Sequence, residues 1–502
     1  MAVLDFPGDM VPLDKEQQGR LRRDLHPAQL LLVCLNDICP RGPPPKPPSD
    51  SSPNPNQSPE ESFHTFVNKL AQILDFEPKG NTITALTVIL LDAKVTYVFA
   101  SNQRGPGALN NARKCLKEVL DILKSNIEAT SKAPDHVIEK RLMDKILWWN
   151  KVRVRSYLTA LSKELQTCMG RCDNTQEGTK AKQALADLAS TLPDLNQGGQ
   201  KTEIYIEATV QCIKAIQANR NSPLQRYISA RSAEDHNMGK GGSWSNLQHA
   251  AGRLLSYQYA VEVLVHAHHM WADTDLFRDF EIESIRSSKP YPADANLLNP
   301  TPETAELILN RAPGTEVHKQ ELKQSAVELE KYHLKKHFQS RWEAQAQAEK
   351  GMRRIVHAEI LLHSWLLATE GGVRSHRFFQ GWQYIGTSKP PCRMCTEYFT
   401  TVISTPVQFR APHPNSYLNF RLPDPYVDGK QKGKEQREKQ ARQKWCEDLG
   451  KMKAGVYAAV ARVLREKVAE WKRFDSNTYT DRVRSVRGDG GDVALLTSWL
   501  GR

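Results

Sequence analysis

Val356–Gly372 reads VHAEILLHSWLLATEGG, and Trp382–Phe399 reads WQYIGTSKPPCRMCTEYF. Between them they hold one His-x-Glu and one Pro-Cys-x-x-Cys. His357, Cys392 and Cys395 are ligand types that zinc prefers, and three protein ligands leave one coordination position for water. Glu359 stands two residues from the first ligand, a carboxylate that need not touch the metal. The flanking sequence supplies a frame for these four residues. IVHAEILLHSWLLA is an apolar helix closed by Gly371 and Gly372. YIGTS reads as a buried strand, and Pro390 and Pro391 suit the start of a helix. Cys392 then falls at a helix N-terminus, where unpaired N–H groups and the helix dipole favour thiolate, with Cys395 one turn on and facing the same side.

Nine cysteines in 502 residues give roughly 0.2 chance C-x-x-C pairs, so the pair by itself is only mildly informative. Of fifteen histidines, only His357 is followed two residues later by Glu. A strand feeding a C-x-x-C at a helix start is also how thioredoxin-like redox sites are built, and that alternative stays open. It gives the His-x-Glu no task. The bland reading makes His357 a satisfied core histidine and Glu359 an exposed helix-start carboxylate. It has to treat the spacing of the two motifs as coincidence. H-x-E followed by P-C-x-x-C is the zinc deaminase pattern.

Outward from this unit, Val407–Arg410 reads as a short strand, followed by the irregular APHPNSYLNFRLPDPYVDG and a helical stretch from about Lys432 to Arg473. The first part of that stretch is basic. Its second part carries an apolar stripe through Val456, Val460, Val463, Leu464 and Val468. Upstream, Phe63–Phe76 has helical spacing, while NTITALTVILL and KVTYVFAS, joined by Asp92 and Ala93, read as paired strands ending in the loop at Asn102. From 106 to 354 the periodicity predicts helix almost throughout, with no fixed-period repeat.

The resulting division is a helical segment over 1–39, a Pro/Ser-rich linker over 40–62, a helix and hairpin over 63–105, and a helical insertion over 106–354. The unit with both motifs spans 355–475 and a tail 476–502. The linker's PPPKPP and the helical insertion are candidate protein-binding elements, a plain spacer being the simpler reading of the linker.

Two other clusters are weaker. His266, His268 and His269 lack a nearby Cys or carboxylate at ligand spacing, and Cys168 and Cys172 sit one helical turn apart without further ligands. There is no P-loop, no G-x-G-x-x-G and no G-x-S-x-G. The start MAVLDFPGDM has no basic or apolar leader pattern, the apolar runs are too short to span a bilayer, and the cysteines form no disulfide framework. The expectation is a soluble, unsecreted protein of the cytoplasm or nucleus. A net charge of +12 and a pI near 9.1 favour a polyanionic partner such as nucleic acid.

On HAE at 357–359, the strand-like YIGTSK and PCRMC at 391–395, the chain resembles the cytidine deaminase-like superfamily. Its closest look is to a mainly fungal lineage of deaminase-like proteins with long helical additions. The resemblance implies a three-layer α-β-α sheet, α/β in class, split in sequence by a large all-α insertion and predominantly helical overall. It implies Zn²⁺ held by His357, Cys392 and Cys395, with Glu359 as the catalytic proton shuttle in hydrolytic removal of a nucleobase amine. Asn102 resembles the asparagine that many relatives place against sugar or base, a turn-forming Asn being its plain alternative. Trp382 and Tyr384 are candidates to stack a base, with strand packing as theirs. Where many family members have an acidic residue just before Pro-Cys, this chain has SKPPC. The expected substrate is a nucleotide or nucleic acid. The competing readings are a silent zinc-containing scaffold, a helical nucleic-acid-binding protein and a C-x-x-C redox protein.

Overall fold

Two consecutive residues with positive φ, Asp92 at 50° and Ala93 at 64°, close the hairpin at the centre of the sheet. A two-residue turn of this hand matches the natural twist of paired strands. It joins β1 (Thr84–Leu91) to β2 (Lys94–Ser101), with Leu91 opposite Lys94 and Thr84 opposite Ser101. The computed structural model describes residues 3–38, 57–194 except 79, 202–237, 242–292, 305–328 except 311 and 313–315, 353–427 except 414, and 433–465, together with 336, 339–341, 343, 483 and 484. The PPPKPP stretch and most of the tail from 476 lie outside these residues.

Alternation along the hairpin builds two cores. Leu86, Val88, Tyr97 and Phe99 face one, and Ala85, Ile89, Val98 and Ala100 face the other. With both faces of the sheet covered, most positions are apolar, and Thr84, Thr87, Thr96 and Ser101 are buried with their hydroxyls among the strands. Three further strands and a short edge complete the sheet. They are β3 (Phe280–Ser284), β4 (Tyr384–Thr387), β5 (Gln408–Arg410) and β6 (Val483–Arg484), in the order β6-β5-β4-β1-β2-β3. β4 and β5 run parallel, β4 lies antiparallel to β1, and β3 is parallel to β2. The carboxyl ends of β2, β3, β4 and β5 therefore share one edge of the sheet. The chain has the expected α/β architecture, helices predominating, with a large helical region between β2 and the second motif-bearing half.

On one face lies α2 (Pro59–Ile73), started by a capping box in which Ser58 and Glu61 satisfy each other's backbone N–H groups. Gly386 of β4 allows α2 to approach closely, since a Cβ there would stand 2.8 Å from the Val67 carbonyl carbon and 2.9 Å from Asn68 N. Asn68 uses the contact: its Oδ1 accepts from Thr387 N at 3.0 Å and its Nδ2 donates to Tyr384 Oη at 2.8 Å. Behind α2 stand the helices of the large region, α3 (Pro106–Glu128), α4 (Asp135–Trp149), α5 (Lys151–Gly170), α6 (Gln176–Ser190), α7 (Thr202–Ala218), α8 (Pro223–Asn237) and α9 (Ser243–Trp271). They share one continuous core with this face of the sheet.

The opposite face is covered by α10 (Ala358–Ala368), together with α1 (His26–Ile38) and α12 (Lys434–Arg465). Pro27 stands just after a π-helical turn over Leu21–Leu25 that carries the chain into α1.

The 106–354 stretch is not helical throughout. β3 adds a parallel strand beside β2, with Val95 opposite Phe280 and Phe99 opposite Ser284. In FEIES, Ile282 and Ser284 are buried while Glu281 is exposed, the half-buried alternation of an edge strand. Five residues cannot announce a period against the long helical pattern before them. Among the described residues, no helix is long and apolar enough to cross a membrane.

Candidate metal centre

His357 is the N-cap of α10, in extended conformation, and its side chain makes no capping hydrogen bond. The helix start is capped from a distance. Asn102, just past the end of β2, accepts a hydrogen bond on Oδ1 from Ala358 N at 2.8 Å, and its Nδ2 donates to Gly80 O at 2.9 Å. The two residues before His357 are held as well, Ile355 N by Asn419 O at 2.7 Å and Val356 N by Ser288 Oγ at 3.1 Å. The His357 ring is thereby turned into the protein.

Cys392 plays the matching part at α11 (Arg393–Glu397), again as N-cap in extended conformation and again without a side-chain capping bond. Cys395 stands in the first turn. The loop after β5 clamps this start, His413 N donating to Pro391 O at 3.0 Å and Arg393 N to Asn415 O at 3.0 Å. Two helix N-termini thus converge at the carboxyl edge of the sheet and bring three ligand atoms together. His357 Nδ1 lies 3.1 Å from Cys395 Sγ and 3.5 Å from Cys392 Sγ, and the two sulfurs are 3.5 Å apart. All three residues are buried, and among the described residues they form the one group of three or more His, Cys, Asp or Glu side chains close enough together to hold a metal ion.

The electrostatics of the group follow from burial opposed by close partners. Burial lowers the His357 pKa, but the neighbouring Cys392 thiolate, with Glu359 and Asn419 adding to it, outweighs this and lifts the imidazole to about 9. Burial would raise the Cys392 thiol. Cys395, His357 and the His413 charge overcome that and hold it well below its usual range. Cys395 goes the other way, pushed well up by burial and by the Cys392 charge beside it. Glu359 is buried at 5% exposure, and burial raises its carboxyl pKa against the lowering influence of His357. Glu359 lies within the electrostatic reach of both His357 and Cys395. A buried carboxyl with a raised pKa beside a metal-ligand cluster is suited to taking up and returning a proton.

The other expected site residues fall elsewhere. Tyr384 is fully buried on the opposite face of the sheet, stacked on His64 with ring centroids 3.8 Å apart. Trp382 packs on that same side against Phe63 at 5.0 Å and Trp271 at 6.2 Å. Neither comes to the metal group. Strand alternation sends Tyr384 and Ile385 to opposite cores, so closeness in sequence to Cys392 does not fix the face. His268 is buried against Phe277, His269 pairs with Asp135 at 2.9 Å, and Cys172 donates to Cys168 O at 3.4 Å.

Residues of the irregular loop after β5 join the site without having been singled out in the sequence. The Phe420 ring meets the His357 imidazole edge to face, centroids 5.4 Å apart, and Arg421 N donates to Ile355 O at 2.9 Å. His413 and Asn419 act on Cys392 and His357 as described above. The density of Pro, Asn and aromatic residues in APHPNSYLNF was the one available signal.

A family model described as OTT_1508_deam-like deaminase matches residues 356–424. The match begins one residue before His357, takes in Glu359, Cys392 and Cys395, and ends in the loop that carries His413, Asn419 and Phe420. It leaves out α2 and the β1–β2 hairpin. No curated protein and no solved structure matches the chain.

Proposed function

We propose that the chain is a zinc-dependent hydrolytic deaminase acting on the exocyclic amine of a nucleobase, carried by a nucleotide or a nucleic acid. One observation carries this reading: His357 Nδ1 and the two cysteine sulfurs form a buried triangle with edges of 3.1–3.5 Å, two residues from a buried glutamate. Tetrahedral zinc bonded at about 2.3 Å to sulfur and about 2.0 Å to nitrogen needs edges of about 3.5–3.8 Å, so the ligand atoms stand within a few tenths of an ångström of what zinc requires. One imidazole and two thiolates are a zinc-preferring set.

The bound metal supplies Lewis acidity, which brings the pKa of a water to about 7. The chain's own residues then handle protons. The Glu359 carboxylate takes a proton from the attacking water and delivers it to the ring nitrogen next to the amine-bearing carbon. A further proton passes through the same carboxylate to the departing ammonia. Phe420 packs edge to face against the His357 imidazole and holds the ring in place.

The test is bound-zinc stoichiometry together with a screen for C-to-U and A-to-I changes in RNA co-expressed with wild type and with Glu359→Gln, followed by assays on free nucleosides and nucleotides. The reading expects about one zinc per chain in both proteins, and ammonia release that falls by about 10²–10⁴ in Glu359→Gln. Absence of zinc, or activity indifferent to Glu359→Gln, overturns it.

A further inference from the structure

We propose that Asn419 is a positioning residue of the metal group: its side-chain amide oxygen accepts the Nε2–H of His357 and so presents Nδ1 to the metal. The proposal rests on the zinc reading of this group and not on the reaction assigned to it.

The two nitrogens of the His357 ring stand in different surroundings. Nδ1 faces the sulfurs, 3.1 Å from Cys395 and 3.5 Å from Cys392. Nε2 is buried and has no hydrogen-bond partner of good geometry among the described residues. A neutral imidazole that gives Nδ1 to a metal carries its one proton on Nε2. That N–H is then a buried donor, and a buried donor without an acceptor is costly. Histidines that bind metals nearly always give this second proton to a carboxylate, a carbonyl or water, which fixes the tautomer and the ring plane.

The side chains that act most strongly on the imidazole are Cys392, Glu359 and Asn419. Cys392 is itself a ligand, and Glu359 hydrogen-bonds with Cys395 on the ligand side. Asn419 acts on the ring as a hydrogen-bonding group, in the direction that favours the protonated imidazole. An amide oxygen accepting from the ring has that effect, whereas an amide N–H donating to it has the opposite one. With Nδ1 turned to the sulfurs, Nε2 is the ring nitrogen left to meet the amide. The terminal torsion of Asn is broad and soft, so the oxygen settles on the ring proton without moving the backbone.

The backbone under Asn419 is held where this role needs it. Consecutive carbonyls of the irregular loop are satisfied from buried groups: Tyr417 O by Gln29 Nε2, Leu418 O by Arg354 at 2.6 Å, and Asn419 O by Ile355 N at 2.7 Å. Arg421 N returns a bond to Ile355 O at 2.9 Å, and Ile355 and Phe420 form a parallel bridge. Residues 419–421 are therefore paired with the segment that runs directly into His357. The buried Arg421 guanidinium anchors the far side on both carboxylate oxygens of Asp424 and on Lys289 O. Phe420 meets the same imidazole at an interplanar angle of 89°. A locked backbone beneath a polar side chain is what a supporting shell around a metal ligand requires.

The experiment measures zinc affinity of the full-length chain by competition with a chelator of known affinity. Asn419→Leu keeps the side-chain size and every backbone bond but offers no acceptor, and its zinc dissociation constant should rise about 10–100-fold. Asn419→Asp restores an acceptor and should bind zinc at least as tightly as wild type. Urea unfolding of the metal-free proteins should not separate Asn419→Leu from wild type, as it would if the asparagine only supported the fold. Should Asn419→Leu not fold, ¹⁵N-histidine NMR of wild type reads the ring directly. The imidazole whose signals move on adding zinc should show metal at Nδ1 and a proton on Nε2. A dissociation constant in Asn419→Leu within about twofold of wild type, an Asn419→Asp no better than Asn419→Leu, or zinc held by Nε2 overturns the proposal. Zinc affinity that depends on Asn419, in a protein that releases no ammonia, sustains it and removes the deaminase reading. A wild type that binds no zinc removes both.

Discussion

Asn102 Oδ1 accepts a hydrogen bond from the backbone N–H of Ala358 at 2.8 Å, joining residues 256 positions apart. The bond satisfies one of the unpaired donors at the start of α10, which the His357 side chain leaves unserved. It also fixes the residue that follows the candidate metal ligand His357, which makes Asn102 a positioning residue in the proposed site. Asn102→Ala should destabilise the fold by about 1–3 kcal/mol and weaken zinc retention against a chelator. Asn102→Asp keeps the acceptor and should recover most of the zinc retention. Zinc retention equal in wild type and Asn102→Ala would contradict the positioning role.

Gly386 is where α2 meets the sheet. A Cβ there would press on backbone atoms of Val67 and Asn68, which cannot rotate away. Gly386→Ala should lower stability by about 1–3 kcal/mol, as overpacking in a core does. Denaturant unfolding of the variant should show the loss. Asn68→Ala, which removes the paired hydrogen bonds to Thr387 and Tyr384, should be less than additive with it, because the two changes act at one contact.

The proximity of His357, Cys392 and Cys395 was legible because all three sit at the starts of two successive helices joined by one strand, a local unit whose spacing survives without knowledge of the rest. The hairpin was legible from β-branched residues flanking a two-residue turn. β3 was not, since FEIES follows a 29-residue helix and is too short to show its own period. The face of Tyr384 was also hidden. An apolar strand buried on both sides shows no alternation, so the sequence could not place it opposite Ile385. The contribution of His413, Asn419 and Phe420 depends on an irregular backbone that no periodicity describes.

Each cysteine of the candidate metal group should matter to zinc binding. Cys392→Ser and Cys395→Ser should each reduce bound zinc from about one per chain to a small fraction, as measured by metal analysis of purified protein. Because a ligand that binds only the folded state stabilises it, zinc at 1,000 times its dissociation constant adds about 4 kcal/mol. Chelation should therefore lower the melting temperature of wild type and leave that of Cys392→Ser nearly unchanged. Equal sensitivity of the two proteins to chelator would place any bound zinc elsewhere.

His363 gives the fold an acid limit separate from the metal group. Its imidazole is fully buried on α10, with Nε2 2.8 Å from Thr405 Oγ1 and the Phe399 ring 5.3 Å away. Burial lowers its pKa from the usual 6.5 to about 4. The unfolded chain therefore binds a proton as pH falls below about 6.5, while the folded chain refuses it until about 4. Stability from the neutral ring is complete above pH 6.5 and is lost on descent toward pH 4, amounting to about 2.5 kcal/mol by pH 4.5. His64, lowered to about 3 by burial, acts in the same direction. His363→Gln cannot titrate, so its destabilisation relative to wild type, measured by urea unfolding, should be largest at pH 7 and shrink by about 2.5 kcal/mol at pH 4.5. A difference between the two proteins that stays constant over this range would show that the ring is not held neutral by the core.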